Sequence, residues 1–109
     1  EFCGETGDNS AYPGDQLTAN SMRAVAAHGR ELGVPINYGE FGVGRDGNQP
    51  QRNTDLVRNY YRTVVQTALE EGMSSSVWED RGWFGLIEGS VESGFSFKYN
   101  IVPYMLSEE

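Results

Sequence analysis

An amphipathic helix lies between two short apolar segments that lead into carboxylates, and this order constrains the fold more than any other feature. The first segment, 34–41, presents Glu40 near its end, and the second, 73–79, ends at Glu79 and is followed by Asp80. The order strand, helix, strand predicts a βαβ unit with a right-handed connection and parallel strands. The carboxyl ends of both strands then open on one face, which is the face where α/β folds bind ligands.

Helical periodicity predicts two main helices and a short C-terminal helix around these strands. The second main helix is the clearest, because its apolar residues recur at intervals of three and four. Segments rich in glycine and polar residues lack this periodicity and are predicted as loops. We expect the helices at 18–33, 53–71 and 99–106, and the loops at 1–17 and 80–98, all within a single domain spanning 1–109.

Composition and charge exclude several classes of partner. The chain has 16 acidic and 8 basic residues, a net charge of −8, so nucleic acid and anionic membrane surfaces should repel it. No apolar run approaches the roughly 18 residues of a membrane span, and no signal peptide is recognised, so a soluble chain is expected. The one cysteine, Cys3, has no internal disulfide partner, and the one histidine, His28, lacks the neighbours of a metal site. We therefore predict no metal and no cofactor.

Two motifs resemble the last quarter of a glycoside hydrolase family 5 cellulase. They are Gly39-Glu40-Phe41-Gly42 and Val77-Trp78-Glu79-Asp80-Arg81-Gly82-Trp83-Phe84-Gly85, and the resemblance extends over roughly residues 18 to 106. Members of that family are (β/α)8 barrels and retaining glycosidases. The resemblance implies an α/β fold that is a fragment of a TIM barrel, with about three parallel strands, the two main helices and the short C-terminal helix.

The resemblance also implies an endoglucanase that cleaves β-1,4-glucan without a cofactor. Glu40 matches the nucleophile of the family, and Trp78 matches its sugar-stacking tryptophan. Trp83 is assigned as a further sugar platform, and Tyr38 as a substrate-binding residue. Arg45, in the loop after the first strand, is assigned to substrate binding or to a contact with Glu40. Such enzymes are mostly secreted by microbes, so an extracellular location is expected.

The second catalytic carboxyl is less well defined by the sequence. In the family the acid/base is a glutamate preceded by asparagine, and no Asn-Glu dipeptide occurs in this chain. Retaining glycosidases hold their two carboxyl groups about 5 to 5.5 Å apart, which is close to the roughly 4.8 Å between adjacent strands. Glu79 or Asp80 is therefore predicted as the acid/base. The alternative is that both carboxylates only hydrogen-bond sugar hydroxyls or water.

The length of the chain raises the question of what completes the sheet. A full barrel of this type takes about 250 residues, whereas this chain has 109. Unpaired edges of a short parallel sheet favour self-association, so we predict a homo-oligomer, a symmetric dimer that completes the sheet. A monomer that folds its loops over the edges is the alternative. Two other functions also stay open, a carbohydrate-binding remnant without turnover and a structural half-barrel fragment.

Overall fold

The computed structural model describes residues 13–44 and 52–107, which form a mixed α/β structure. Within these ranges the chain has three helices and four strands. Among the described residues, no helix is long and apolar enough to cross a membrane. In chain order the elements are α1 (Pro13–Leu32), β1 (Asn37–Phe41), α2 (Asp55–Glu71), β2 (Ser74–Val77), β3 (Ile87–Ser90), β4 (Gly94–Phe97) and α3 (Ile101–Met105).

Helix α2 forms because both of its ends are capped and one of its faces is apolar. The Thr54 hydroxyl accepts a hydrogen bond from the Val57 N–H at 3.2 Å, which satisfies a donor that the first turn leaves unpaired. Gly72 ends the helix in the left-handed region at φ 73°, where glycine carries no steric penalty. The side chains of Tyr61 and Val64 are fully buried, and burial of each stabilises the fold by about 1.5 to 3 kcal/mol.

Strands β1 and β2 pair in parallel, and β1 carries one residue more than its partner between two pairs of the ladder. Asn37 pairs with Ser74, and Glu40 pairs with Ser76. The extra residue is accommodated at Gly39, whose φ of 96° lies in a region that side chains rarely adopt. The bulge therefore shifts the alternation of side chains between the first and the last residues of β1.

The sequence predicted about three parallel strands, but the described residues contain only two. The segment expected as a long loop, 80–98, instead contains the antiparallel hairpin β3–β4. The hairpin turn is closed by two serines that bond each other's backbone: the Ser90 N–H donates to the Ser93 hydroxyl at 3.1 Å, and the Ser93 N–H donates to the Ser90 hydroxyl at 3.0 Å. Hydroxyl bonds of this kind stabilise a tight turn.

Helices α1, α2 and α3 share one apolar core with the β1–β2 pair. Because the apolar faces of the three helices converge on it, the core holds the strand ends in a fixed position. Helix α1 starts upstream of its predicted beginning at residue 18 and adds two buried residues to this core. The core members are Met22, Ala26, Phe41, Val43, Val57, Tyr61, Val64, Ala68, Met73, Leu86, Ile101 and Met105.

Candidate active site

An open cleft of about 650 Å³ lies at the carboxyl ends of β1 and β2. Its position agrees with the general location of ligand sites in parallel α/β folds. Aromatic rings make up most of its wall, and among its lining residues one is a carboxylate. The lining residues are Tyr38, Glu40, Phe41, Gly42, Tyr60, Trp78 and Phe84.

Glu40 is exposed to solvent in the cleft. Among the described residues its carboxylate accepts no hydrogen bond and forms no ion pair. The next residue, Phe41, is buried, and its ring lies 5.8 Å from that of Tyr61 between centroids. The backbone of the strand end is thus held by the core, while the carboxylate beside it stays open to a ligand.

Trp78 lies beside Glu40 because its backbone continues the strand pairing past β2. The Trp78 N–H donates a hydrogen bond to the Phe41 carbonyl at 2.9 Å. The side chain is 42% exposed and lines the cleft. A flat, partly exposed indole next to a carboxylate can cover the apolar face of a sugar ring.

Glu79 uses its carboxylate to hold its own loop. One oxygen, Oε1, accepts a hydrogen bond from the Arg81 N–H at 3.1 Å. The other, Oε2, accepts one from the Leu86 N–H at 3.0 Å. Glu79 is not among the residues that line the cleft. The Glu79 side chain thus links the beginning of the segment 79–86 to its end.

Asp80 is used in a similar way. Its Oδ1 accepts hydrogen bonds from the Gly82 N–H at 2.8 Å and the Phe84 N–H at 3.1 Å. The pKa of Asp80 lies below its ordinary value of 3.8, chiefly because the Gly82 N–H donates to it; partial desolvation opposes this effect, and the Phe84 N–H and the Trp78 side chain add to it. The ionised form is therefore favoured, which is the opposite of what a proton donor needs.

Phe84 forms part of the cleft, and the sequence interpretation did not assign it to the site. A Cβ atom placed on Gly44 would lie 2.7 Å from the ring, and one placed on Gly42 would lie 3.0 Å from it. The ring can lie against the segment that follows β1 because neither glycine has a side chain. The sequence signal was the spacing of the glycines directly after Glu40, which indicates a close approach by another part of the chain.

The other predicted site residues fall in different places. Tyr38 is half-buried and lines the cleft. Trp83 is 56% exposed and is not a lining residue. Arg45 lies outside the described residues. Tyr60, which the sequence analysis did not assign to the site, also lines the cleft, and its ring lies edge-on to that of Tyr61 with centroids 5.9 Å apart.

A metal site does not emerge from the described part of the chain. Within 13–44 and 52–107, no three histidine, cysteine or acidic side chains come together to hold a metal ion. His28 lies on the exposed surface of α1, where its Nδ1 is 3.5 Å from the Glu31 carboxylate.

No protein-family model matches the sequence, and no curated protein sequence matches it. Solved structures do match its fold. A hyperthermophilic endo-β-1,4-glucanase in complex with substrate gives a TM-score of 0.60 at 23% identity, over 81% of this chain and 27% of that one. Thermotoga maritima Cel5A in complex with cellobiose gives 0.68 at 13% identity, over 89% and 29%. A structure described as an endoglucanase gives 0.61 at 22% identity, over 83% and 28%.

The fold of this chain is therefore similar to part of an endoglucanase. The chain spans less than a third of the length of each of these three structures. At such low identity the likeness concerns the fold, and the chemistry depends on the residues of the cleft itself.

Proposed function

We propose that this chain carries the nucleophile of a β-1,4-glucan hydrolase. The observation that supports the proposal most is Glu40, an open carboxylate in a cleft walled by aromatic rings at the ends of two parallel strands. The similarity to endo-β-1,4-glucanase structures favours this substrate class over others. We assign the chain to a fragment of a (β/α)8 barrel of the glycoside hydrolase family 5 type, in a secreted enzyme.

In the proposed reaction Glu40 attacks the anomeric carbon, the glycosidic bond breaks, and the leaving sugar oxygen takes a proton from the acid/base. Water, deprotonated by the same acid/base, then hydrolyses the covalent glycosyl-enzyme with retention of configuration. The chain needs no cofactor for this reaction. Trp78 supports a sugar ring beside the bond that is cleaved, and Tyr38 and Phe84 bound the same space. Trp83 and Arg45 stay predictions as further contacts to the polysaccharide.

Among the described residues, no second carboxylate lines the cleft to act as the acid/base. Glu79 and Asp80 stay predictions for the role, and the backbone hydrogen bonds that both accept argue for a structural role instead. A second carboxyl can come from another copy of the chain, in the dimer that the sequence predicts. Large apolar side chains exposed near the strand ends, among them Val77 at 36% and Val34 at 49%, favour such association.

The alternative function is carbohydrate binding without turnover. One observation favours it: among the described residues, Glu40 is the one carboxylate that lines the cleft. A cleft with sugar platforms and a single carboxyl group can bind a glucan but lacks the second group that retaining hydrolysis requires.

The test is release of reducing sugar from carboxymethyl cellulose by the purified chain and by Glu40→Gln, at several protein concentrations. The matched control is Glu92→Gln, which makes the same change in the hairpin turn, at a residue that does not line the cleft. We expect Glu40→Gln to lower the rate by on the order of 10⁴-fold or more, since removal of a nucleophile leaves only residual catalysis. Specific activity that rises with concentration would support a site built by association.

Binding of cellohexaose, followed by tryptophan fluorescence, separates the two functions. Binding by both the parent chain and Glu40→Gln, without sugar release by either, would replace the hydrolase proposal with the binding alternative. Neither binding nor release would leave only a structural role for the chain.

A further inference from the structure

Arg52 is a fully buried cation that contacts both of the segments that form the cleft. Its side chain is 0% exposed. Nε donates a hydrogen bond to the Val43 carbonyl at 3.0 Å, and Nη1 donates one to the Gly85 carbonyl at 2.7 Å. Val43 belongs to the segment after β1, and Gly85 to the segment after β2. One side chain thus joins the two strand ends.

Each of these carbonyls lies close in sequence to a cleft residue. Val43 shortly follows Glu40, and its N–H donates to the Tyr61 hydroxyl at 2.9 Å, so both backbone polar groups of this residue are held by side chains. Gly85 directly follows Phe84, whose ring lies against the glycines of the first segment. A shift of the Arg52 side chain would therefore be transmitted to both walls of the cleft.

The chemistry of this contact requires arginine. The guanidinium group is planar and presents its donors in a fixed fork, so it holds two carbonyl oxygens at a set separation. It also lies over the Tyr99 ring, 5.7 Å from the centroid, a favourable position for a cation. Lysine retains the charge but replaces the fork with a single flexible ammonium group.

We propose that Arg52 is a positioning residue that sets the spacing between Glu40 and the aromatic wall formed by Trp78 and Phe84. It acts through the backbone of Val43 and Gly85 and is not a lining residue of the cleft. The catalytic meaning of this spacing rests on the proposed function, whereas the spacing itself can be measured without any activity.

The experiment uses the full chain with Trp83→Phe, which leaves Trp78 as the one tryptophan of the two in the sequence. In this background we compare Arg52→Lys with the parent by acrylamide quenching of Trp78 fluorescence, at a temperature where far-ultraviolet circular dichroism shows both to be folded. The control is Arg23→Lys, the same change at a partly exposed arginine that pairs with Glu70 and Glu71. We expect stronger quenching and a red-shifted emission in Arg52→Lys and no change in the control.

The second part of the experiment measures kcat and KM on carboxymethyl cellulose, in chains that retain Trp83. Since a small misplacement of a reacting group can lower the rate about 100-fold, we expect kcat of Arg52→Lys to fall toward that extent with KM changed much less. A residue needed only for stability would lower the melting temperature and leave kcat of the folded protein as it was.

The outcomes separate this inference from the proposed function. If the parent chain hydrolyses no glucan, the proposed function fails and the quenching result alone decides the role of Arg52. Unchanged quenching in a folded Arg52→Lys overturns the inference, and so does an unchanged kcat in an active chain. A chain that does not fold with Arg52→Lys also overturns it, because the role of Arg52 is then structural. Arg52→Met, which removes both hydrogen bonds, is expected to show the larger change where it folds.

Discussion

Glu40 and Glu79 both lie at the carboxyl ends of parallel strands, yet their carboxylates are used in opposite ways. The Glu40 carboxylate has no hydrogen bond or ion pair with any described residue and faces an open cleft. Glu79 accepts two backbone hydrogen bonds, from Arg81 and Leu86, and lies outside the cleft lining. The segment after β1 is held by side chains from other parts of the chain, those of Arg52 and Tyr61. In the segment after β2, Arg52 holds the Gly85 carbonyl, but N–H groups are bonded by the segment's own acidic side chains.

This difference shows what makes a carboxylate available for chemistry. A loop whose backbone groups are satisfied by neighbouring elements leaves its acidic side chains free, while a loop that must satisfy its own N–H groups uses those side chains to do so. Both carboxylates lie at strand ends, and the local hydrogen bonds decide which of them is available to a ligand.

The largest expected difference between Glu40 and Glu79 is in the stability of the folded chain. Glu79→Ala removes two charge-assisted hydrogen bonds and should lower the free energy of unfolding by about 3 kcal/mol, whereas Glu40→Ala should change it by less than about 0.5 kcal/mol. Urea denaturation of both variants measures the difference. Equal effects at the two positions would show that the two carboxylates do not differ in what they hold.

The contact between the two segments gives the next prediction. Gly44→Ala places a methyl group against the Phe84 ring, where the closest approach would be 2.7 Å. Such overpacking should cost about 2 kcal/mol in the free energy of unfolding and displace the ring from the cleft. Gly82→Ala is the control, because a Cβ there meets its nearest neighbour at an ordinary 3.5 Å. A Gly44→Ala chain as stable as its control would count against the close packing of Phe84.

Trp78 and Trp83 allow the same comparison for ligand binding. Trp78 lines the cleft beside Glu40, and Trp83 lies outside its lining. Trp78→Ala should weaken binding of cellohexaose about tenfold, or about 1.4 kcal/mol, and Trp83→Ala should weaken it less. Isothermal titration calorimetry measures both. A larger loss of binding in Trp83→Ala would indicate that Trp83, and not Trp78, is the main sugar platform.

The smallest effect is confined to acid pH and concerns Asp80. Its folded-state pKa lies below 3.8 because backbone N–H groups, first that of Gly82, donate to the ionised carboxylate. Stability from this group is therefore complete above the ordinary pKa and is lost as the pH falls through the folded-state pKa. The difference in melting temperature between the parent and Asp80→Asn should be present at about pH 6 and shrink below about pH 4. A difference that stays constant with pH would contradict this account.

The βαβ core could be interpreted from the sequence because its signals are local. The periodicity of α2 and the short apolar segments before Glu40 and Glu79 are visible in the chain. They indicate a parallel pair of strands whose ends face one site, and the structure has such a pair.

The hairpin and the hydrogen bonds of the second loop were not visible in the same way. Glycines at 89 and 94, both at positive φ, interrupt the alternation of β3 and β4 and gave the segment the composition of a loop. The bonds accepted by Glu79 and Asp80 depend on the path of the backbone, which composition does not specify. Arg52 stands in a polar stretch of the sequence, and nothing there distinguishes it from a surface arginine.

The bulge at Gly39 has a consequence for how this site can tolerate insertions and deletions. Side chains of a strand alternate between its faces, and residues that pair across strands share a face. Glu40 pairs with Ser76 after the bulge, so deleting the extra residue would restore a regular ladder and leave the Glu40 side chain on the same face. Access of the carboxylate to a ligand therefore depends on the pairing with β2 and not on the number of residues that precede Glu40 in β1.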